Sequence, residues 1–356
     1  MAFNSHRHKE QDYLPIASLS NTRREILTRA VANVLSTDLA KQTYAQIVDG
    51  YPLADVARDT YEGCLCSYEH PLYTDHKELC PGVQEETQVL CSELDVGTFL
   101  MPEYALRSYE SASEGSPAFT TSLVELVARS LHHIGAWLYR QDRNRHKEDA
   151  LGRWRPSEHH AWGSPKTFPY TLFCHAWYRD YDQYPGGIAD SVGYWAEGRI
   201  LGGVTLFDRR DPGKEKKADP TAIYTIADRN RTIYRICRLI DSQVEALAHF
   251  LLSETTPSPE QCPLPILPSH KSQERFDPES SILRTGIYRD RWERRLRPLG
   301  ERDLRSRGGI TGHFNYLSRL DMRRGQHRSM DERHEREFSH RSTDMILQLN
   351  ELGGRL

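Results

Sequence analysis

The first half of the chain shows the apolar spacing of amphipathic helices. Apolar side chains recur every three or four residues from Ser20 onward, and Gly50 follows as a residue type that commonly ends a helix. Shorter stretches with similar spacing cover residues 54–61 and 85–94. The pattern therefore predicts a mainly helical region in the first half of the chain.

The clearest helix is predicted to begin near Thr121. Ser122 and Glu125 fit a capping box, in which each side chain satisfies a free backbone donor at the start of a helix. The apolar residues that follow are spaced to line one buried face. They are Leu123, Leu126, Val127, Leu131, Ile134 and Leu138.

After residue 167 the composition changes to that of β-strands, which favour aromatic and β-branched side chains. The stretches with this composition are 170–178, 200–207, 222–227 and 232–237. A turn-favouring cluster at 228–230 joins the last two stretches and predicts a hairpin. A second capping box, at Ser242 and Glu245, then predicts a closing helix.

The order of these elements distinguishes between fold classes. Helices followed by strands and one closing helix indicate an α+β fold, whereas regularly alternating strands and helices would indicate a wound parallel sheet. We therefore expect an α+β fold in which an N-terminal helical region precedes an antiparallel or mixed sheet.

The last part of the chain offers less packing surface. Five prolines between residues 257 and 268 exclude a helix or a central strand there. The chain from residue 298 has too few apolar residues to offset backbone entropy. The predicted organisation is a frayed N-terminus (1–19), a mainly helical region with loops (20–166), a strand-rich α+β core (167–256), a proline-rich extended segment and an arginine-rich motif packing on the core (257–297), and a largely disordered tail (298–356).

Charge excludes some classes of function. A formal net charge of −3 over 356 residues argues against a nucleic-acid or membrane-surface role for the whole molecule. Residues 271–356 differ, with 19 Lys and Arg against 14 Asp and Glu. The arginine-rich stretch 284–307 could contact an acidic partner or nucleic acid, although such a run is more often a solvated linker.

The compartment is predicted from three further features. The N-terminus lacks the apolar stretch of a secretory signal, and no apolar run approaches the 18 residues or so of a membrane span. The seven cysteines are scattered and do not form the pattern of a disulfide framework. We expect a soluble protein of the cytoplasm or nucleus, neither secreted nor bound in a membrane.

Five short motifs stand out between residues 168 and 295. They are DQYPGGIAD (182–190), VGYWAE (192–197), LGGVTLFDR (201–209), CPLPIL (262–267) and TGIYRDRWER (285–294). Together these motifs resemble a family of uncharacterised filamentous-fungal proteins. The resemblance implies a fungal source. It implies no activity and no catalytic residue.

A cluster of metal-binding residue types lies between Gly63 and Cys91. Thiolate and imidazole are the ligands that zinc prefers, and this segment has little apolar content for a core of its own. The predicted ligand set for zinc is Cys64, Cys66, His76 and Cys80. The alternative is that these cysteines are small buried side chains, because their spacing matches no standard zinc finger.

A second constellation lies between residues 175 and 208, where a histidine and several carboxylates are interleaved with aromatic residues and glycines. Such groups serve general acid–base catalysis when they converge, and aromatic rings can form the wall of a pocket. The candidate catalytic residues are His175, Asp182, Asp190 and Glu197, and the candidate binding residues are Tyr194 and Trp195. The structural alternative makes the acids helix caps and arginine partners, and the aromatic residues part of the core.

The sequence carries no known catalytic signature of a serine hydrolase, zinc protease or kinase. The leading interpretation is therefore a non-enzymatic binding or structural protein. The alternative is an accessory enzyme of small-molecule, secondary-metabolite metabolism that uses a His/carboxylate site in 175–208. Convergence of these groups in one pocket would favour the enzyme.

Overall fold

The computed structural model describes residues 12–60, 70–155 and 171–294, apart from the single positions 216, 231, 256, 270, 279 and 280. The α-helices in these residues are α1 (Asn21–Leu35), α2 (Asp38–Asp49), α3 (Ala54–Arg58), α4 (Leu72–Asp75), α5 (Val83–Ser92), α6 (Glu103–Ser111), α7 (Pro117–Arg140), α8 (Ala150–Arg153), α9 (Ile188–Leu201) and α10 (Asp241–Leu252). The strands are β1 (Tyr13–Pro15), β2 (Leu100–Pro102), β3 (Val204–Asp208), β4 (Ile223–Ile226), β5 (Ile236–Arg238), β6 (Arg275–Phe276) and β7 (Ile287–Tyr288).

The predicted α+β fold is confirmed. One sheet has the strand order β6-β5-β4-β3-β7 with every neighbouring pair antiparallel, and β1 pairs with β2 in a separate two-stranded sheet. The predicted hairpin corresponds to β4 and β5, where Thr225 lies opposite Cys237. The predicted disordered tail (298–356) and most of the predicted frayed N-terminus fall outside the described residues.

Helix α7 begins earlier than the sequence predicts. Ser116 is its N-cap and accepts a hydrogen bond from the backbone N–H of Phe119 at 3.1 Å. Pro117 follows at the first helical position, where a missing N–H costs nothing. The predicted capping box is therefore wrong, because Ser122 and Glu125 lie inside the helix.

Helix α9 is the main element that the sequence did not predict. Its residues from Ala189 to Leu201 are all buried, so apolar and polar positions do not alternate at helical spacing. The predicted strand 200–207 is correspondingly shorter and begins at Val204. In the predicted strand 170–178, the described residues form no regular strand, only a bridge between His175 and Tyr178.

Glycines allow α7 and α9 to pack closely. A Cβ atom added to Gly193 would lie 2.6 Å from the carbonyl oxygen of His132, and one added to Gly135 would lie 2.9 Å from the Cβ of Ala196. Real Cβ atoms do not approach other atoms this closely. The helix–helix contact therefore requires glycine at both positions.

Three groups of buried apolar residues form the interior. The largest lies among the helices, and a second lies against the sheet with Tyr178, Tyr194 and Tyr224. The third, called here the satellite cluster, comprises Ala57, Leu72, Tyr73 and Leu151. It is much smaller than the other two and is built on the short helices α3, α4 and α8.

Buried ion pairs join α7 and α9 to the chain after β7. Glu197 on α9 is 0% exposed, and its Oε2 accepts a hydrogen bond from Arg289 Nη1 at 2.6 Å. Arg129 on α7 donates to Glu125 at 3.0 Å and to Asp290 at 3.0 Å. Charges buried in this way are stable only when they are paired and hydrogen-bonded.

These pairs correct the interpretation of the arginine-rich stretch 284–307 as a solvated linker. Arg289 and Arg294 are buried, and their acidic partners Glu197 and Glu293 belong to the same chain. Arg284 and Arg291 are exposed. The part of the stretch beyond residue 294 lies outside the described residues.

None of the helices that the structure describes combines the length and apolar composition needed to cross a bilayer.

The close packing of α7 and α9 predicts the effect of one methyl group. Gly193→Ala should lower the free energy of unfolding by about 1–3 kcal/mol, because the added Cβ would overlap a backbone oxygen and force the helices apart. Urea unfolding followed by circular dichroism measures the change. Gly213→Ala is the control: the nearest atom to its added Cβ is the side chain of Asp211 at 3.2 Å, and the change should stay within about 0.5 kcal/mol. Equal stability of Gly193→Ala and the native protein would contradict the packing argument.

The buried pair Glu197–Arg289 predicts a second effect on stability. Glu197→Gln keeps the size of the side chain but leaves the Arg289 charge without its closest partner, and should cost about 3–5 kcal/mol. Glu103→Gln is the matched control, because Glu103 pairs with the exposed Arg107 and such surface pairs contribute about 0–1 kcal/mol. Chemical denaturation of both variants tests the prediction, and a loss at Glu197 no larger than at Glu103 would refute it.

Candidate metal centre

Three buried side chains from distant parts of the chain converge on one point. Asp49, His76 and His146 each offer a ligand atom, and these atoms all lie within 4.8 Å of one another. The two imidazole Nε2 atoms are 3.2 Å apart. Asp49 Oδ2 is 3.1 Å from His76 Nε2, and Asp49 Oδ1 is 3.5 Å from His146 Nε2. This Asp/His/His group could hold a metal ion.

The end of helix α2 positions the carboxylate. Asp49 is its last residue, and Gly50 ends the helix with φ of +112°, a conformation that glycine adopts at little cost. A side chain at position 50 would also collide with Asn144. The loop after α7 can therefore approach, and the backbone N–H of Arg145 donates to the carbonyl oxygen of Asp49 at 2.8 Å.

Hydrogen-bond acceptors outside the Asp/His/His group orient both imidazole rings. His76 Nδ1 lies 3.0 Å from the carbonyl oxygen of Pro52, and His146 Nδ1 lies 2.5 Å from Asp149 Oδ2. Because both partners are acceptors, each Nδ1 carries a proton and donates it. Without a metal, a protonated Nε2 can donate to Asp49 or to the other ring. When both Nε2 atoms are unprotonated, their lone pairs are free to bind a cation between the rings. Carbonyl and carboxylate partners of this kind commonly orient metal-binding histidines.

Cys80 lies next to this group. Its Sγ is 3.5 Å from His146 Nε2, and its backbone N–H donates to Asp49 Oδ2 at 3.1 Å. Its side chain is partly exposed, unlike those of Asp49, His76 and His146. Burial, followed by the neighbouring Asp49 carboxylate, raises the pKa of the Cys80 thiol to about 11.

The carboxylate of Asp49 is ionised in this environment. Burial alone would raise the pKa of Asp49, but hydrogen bonds with His146 and His76 outweigh burial and hold that pKa well below its usual range. Asp49 is 0% exposed, and among the described residues its Oδ1 makes one long contact, 3.5 Å to His146 Nε2. A buried acceptor with so weak a contact is costly, so this oxygen could also bind a cation.

The structure brings together two of the four predicted zinc ligands, His76 and Cys80. The other two, Cys64 and Cys66, lie outside the described residues. Asp49 and His146 were not predicted from the sequence, because 27 and 70 residues separate them from His76. A possible signal was the polar loop after α7, in which His146 precedes Asp149, the N-cap of α8.

Both ring nitrogens of the predicted catalytic histidine contact backbone groups. His175 Nε2 lies 3.1 Å from the carbonyl oxygen of Ile226, and its Nδ1 accepts a hydrogen bond from the N–H of Trp177 at 3.2 Å. Burial lowers the pKa of His175 to about 3, so the ring is neutral. Both ring nitrogens are therefore occupied.

The predicted catalytic acids lie in different environments. Asp182 is exposed on a 3₁₀ turn. Asp190 lies in the first turn of α9 and accepts a hydrogen bond from the N–H of Gly186 at 2.7 Å. Glu197 pairs with Arg289, as described above, and its Oε1 accepts from the N–H of Thr205 at 2.8 Å. These contacts fit the structural alternative, and a catalytic role for the three acids stays a prediction.

The two predicted binding residues are both in the core but face different neighbours. Tyr194 stacks on Tyr178 with ring centroids 4.2 Å apart, whereas Trp195 packs edge-on against Phe173 at 4.7 Å. Consecutive positions on a helix point in different directions, so they do not form one wall. Their predicted role in binding is not supported by a shared pocket in the described residues.

Comparison with known proteins gives no family assignment. No protein-family model, no curated protein and no solved structure matches the chain. The resemblance to filamentous-fungal proteins therefore stays a prediction.

Proposed function

We propose that this chain is a zinc-binding protein whose metal has a structural role, and that it acts as a binding or structural protein rather than an enzyme. The proposed ligands are Asp49, His76 and His146, and the neighbouring Cys80 is a candidate for a fourth ligand. One observation carries the proposal: two oriented imidazole Nε2 atoms face each other at 3.2 Å beside an ionised, buried carboxylate.

The distances fit tetrahedral zinc. With Zn–N bonds of about 2.0–2.1 Å and a Zn–S bond of about 2.3 Å, tetrahedral geometry separates two nitrogens by about 3.3 Å and a nitrogen from a sulfur by about 3.6 Å. The corresponding separations here are 3.2 Å between His76 and His146, and 3.5 Å between His146 and Cys80. These two separations match tetrahedral zinc. The ligand atoms of Asp49, His76 and His146 all lie within 4.8 Å of one another, whereas Cys80 Sγ is not part of that group and would have to move to become a fourth ligand.

The donor types favour zinc over other common ions. Imidazole and thiolate ligands suit zinc, whereas calcium and magnesium prefer six or more oxygen ligands. Within the described residues, Asp49 supplies the carboxylate oxygen of the group. A hard cation would therefore be poorly coordinated here.

Protonation without metal is the rival explanation of the same geometry. In that state His146 would carry a second proton, and its hydrogen bond with Asp49 raises the pKa of His146. The second proton would lie on His146 Nε2, which could donate it to His76 Nε2 at a distance of 3.2 Å between the two nitrogens. The rival therefore yields a hydrogen-bonded Asp–His–His cluster that contains no zinc.

A structural role follows from what surrounds the ligands. Helices α3, α4 and α8 have 5, 4 and 4 residues, and isolated helices of that length are unstable in water. The satellite cluster that covers them has few apolar residues. Zinc bound at the end of α2 would join this region to the larger core and stabilise it.

Metal analysis tests the ligand set. Protein purified without chelator should contain about one zinc ion per chain, and Asp49→Asn and His146→Gln should each lose most of it. His249→Gln and Cys262→Ser are matched controls, because His249 is exposed on α10 and Cys262 is not part of the group. Full zinc content in both ligand variants would overturn the assignment. A Cys64→Ser, Cys66→Ser double variant tests the two predicted ligands outside the described residues.

Removal of the metal should loosen one region selectively. Zinc at 100 times its dissociation constant stabilises the folded state by about 2.7 kcal/mol. After chelation, amide hydrogen exchange should therefore become faster in α3, α4 and α8, while α7 and β3 stay protected. Exchange that is unchanged after chelation, or that rises equally across the chain, would contradict a local structural role.

A further inference from the structure

We propose that Arg199 and Arg229, called here the arginine pair, form a binding site for a phosphate group that shares no residue with the proposed zinc centre. Arg199 lies in the last turn of α9, and Arg229 lies between β4 and β5. Both guanidinium groups donate to the same atom, Asp59 Oδ2, at 2.9 Å and 3.3 Å. Two positive charges therefore share one negative charge.

This excess of positive charge distinguishes the arginine pair from the buried ion pairs of the interior. In the interior, acids and arginines are equal in number: Glu125, Asp290 and Glu197 contact Arg129, Arg209 and Arg289. At the arginine pair, Asp59 is the one acid within ion-pair distance among the described residues. A second negative charge is therefore needed to neutralise the pair.

The arginine pKa values reflect the same excess. Burial, followed by the neighbouring charge of Arg199, lowers the pKa of Arg229 to about 10. Burial also acts on six other arginines, but their charged and hydrogen-bonded partners outweigh it and raise the pKa. These are Arg129, Arg209, Arg210, Arg238, Arg289 and Arg294. An anion bound at the arginine pair would offset the repulsion between its two members.

Hydrogen-bond donors of the pair are available to a ligand. A guanidinium group has five N–H donors, and within the described residues the side chain of Arg199 makes a single hydrogen bond, to Asp59. The side chains of Arg199 and Arg229 are 11% and 15% exposed, so solvent reaches a site that is otherwise desolvated. Charge-assisted hydrogen bonds are strong in such surroundings, and the planar guanidinium fork matches the oxygens of phosphate.

Backbone contacts hold the arginine pair in position. Arg229 Nη2 donates to the carbonyl oxygen of Arg199 at 2.7 Å, and the N–H of Asn230 donates to the carbonyl oxygen of Asp59 at 2.8 Å. A ligand therefore binds without the cost of bringing these segments together. Phosphate suits the site better than a carboxylate, because it offers three acceptor oxygens and up to about two negative charges. Inorganic phosphate and an organic phosphate monoester share this chemistry.

The test is calorimetric titration of the full chain with inorganic phosphate, which should show saturable binding of about one phosphate per chain. Arg199→Gln should weaken this binding at least about tenfold, because it removes a charged hydrogen-bond donor. Asp59→Asn should strengthen it, because the substitution removes the carboxylate that competes with phosphate for both arginines. Arg153→Gln is the control: Arg153 is an exposed arginine paired with the exposed Glu148, and its loss should leave phosphate binding unchanged.

Three results would overturn the proposal: no phosphate binding by the native protein, undiminished binding by Arg199→Gln, or unchanged binding by Asp59→Asn. Acetate that binds as tightly as phosphate would overturn the ligand class. Stronger binding by Asp59→Asn cannot come from misfolding, so the titration decides the question even if Arg199→Gln fails to fold.

A parallel titration with phenyl phosphate distinguishes the two sources of the phosphate group. Binding at least as tight as that of inorganic phosphate assigns the site to a phosphorylated ligand, and much weaker binding assigns it to free phosphate.

Discussion

Helix α9 places a carboxylate in the interior, and most of the described fold depends on neutralising that charge. An ionised group buried without a partner would cost more than a small protein can tolerate. Glu197 is neutralised by Arg289, which follows β7 directly. Strand β7 reaches this position by pairing with β3, where Tyr288 lies opposite Phe207. The Glu197–Arg289 ion pair thus holds the chain after β7 against α9. The described residues after 284 therefore belong to the folded part of the chain.

The proposed metal centre differs from these ion pairs in its electrostatics. In the interior network each of the four charges at Glu197, Arg289, Arg129 and Asp290 faces an opposite charge within the chain. At the proposed metal centre two imidazole Nε2 atoms and an ionised carboxylate converge, and each Nδ1 donates to an acceptor outside the group. The Asp/His/His group can therefore accept an added positive charge, either a proton on a histidine or the proposed zinc ion, and this makes it the candidate functional site.

The sequence predicted the elements that have a recognisable residue pattern. Helix α7 was predicted from apolar residues at helical spacing, and the hairpin β4–β5 from aromatic and β-branched residues on both sides of a turn-favouring cluster, although both elements are buried on more than one face. Helix α9 was missed because it is buried on every side and contains Gly193 and Gly198, which are poor helix formers. Site residues were likewise predicted only where they lie close together in the sequence. His76 and Cys80 were predicted from local spacing, whereas Asp49 and His146 become neighbours only when α2 and the loop after α7 are folded together.

Backbone contacts hold the proposed metal ligands in place in the folded chain. The carbonyl of Asp49 accepts from the N–H of Arg145, and the side chain of Asn144 accepts from the N–H of His146 at 2.7 Å. Because these bonds order the loop through the protein itself, a cation would bind there without the full entropy cost of ordering the loop. The 3.2 Å between the two imidazole nitrogens would limit the size of such a cation. An ion with longer bonds, such as calcium at about 2.3–2.6 Å, would have to push the rings apart against the hydrogen bonds that each Nδ1 makes with Pro52 or Asp149. The residues that orient the rings would therefore contribute to the metal selectivity of the proposed centre together with the ligands.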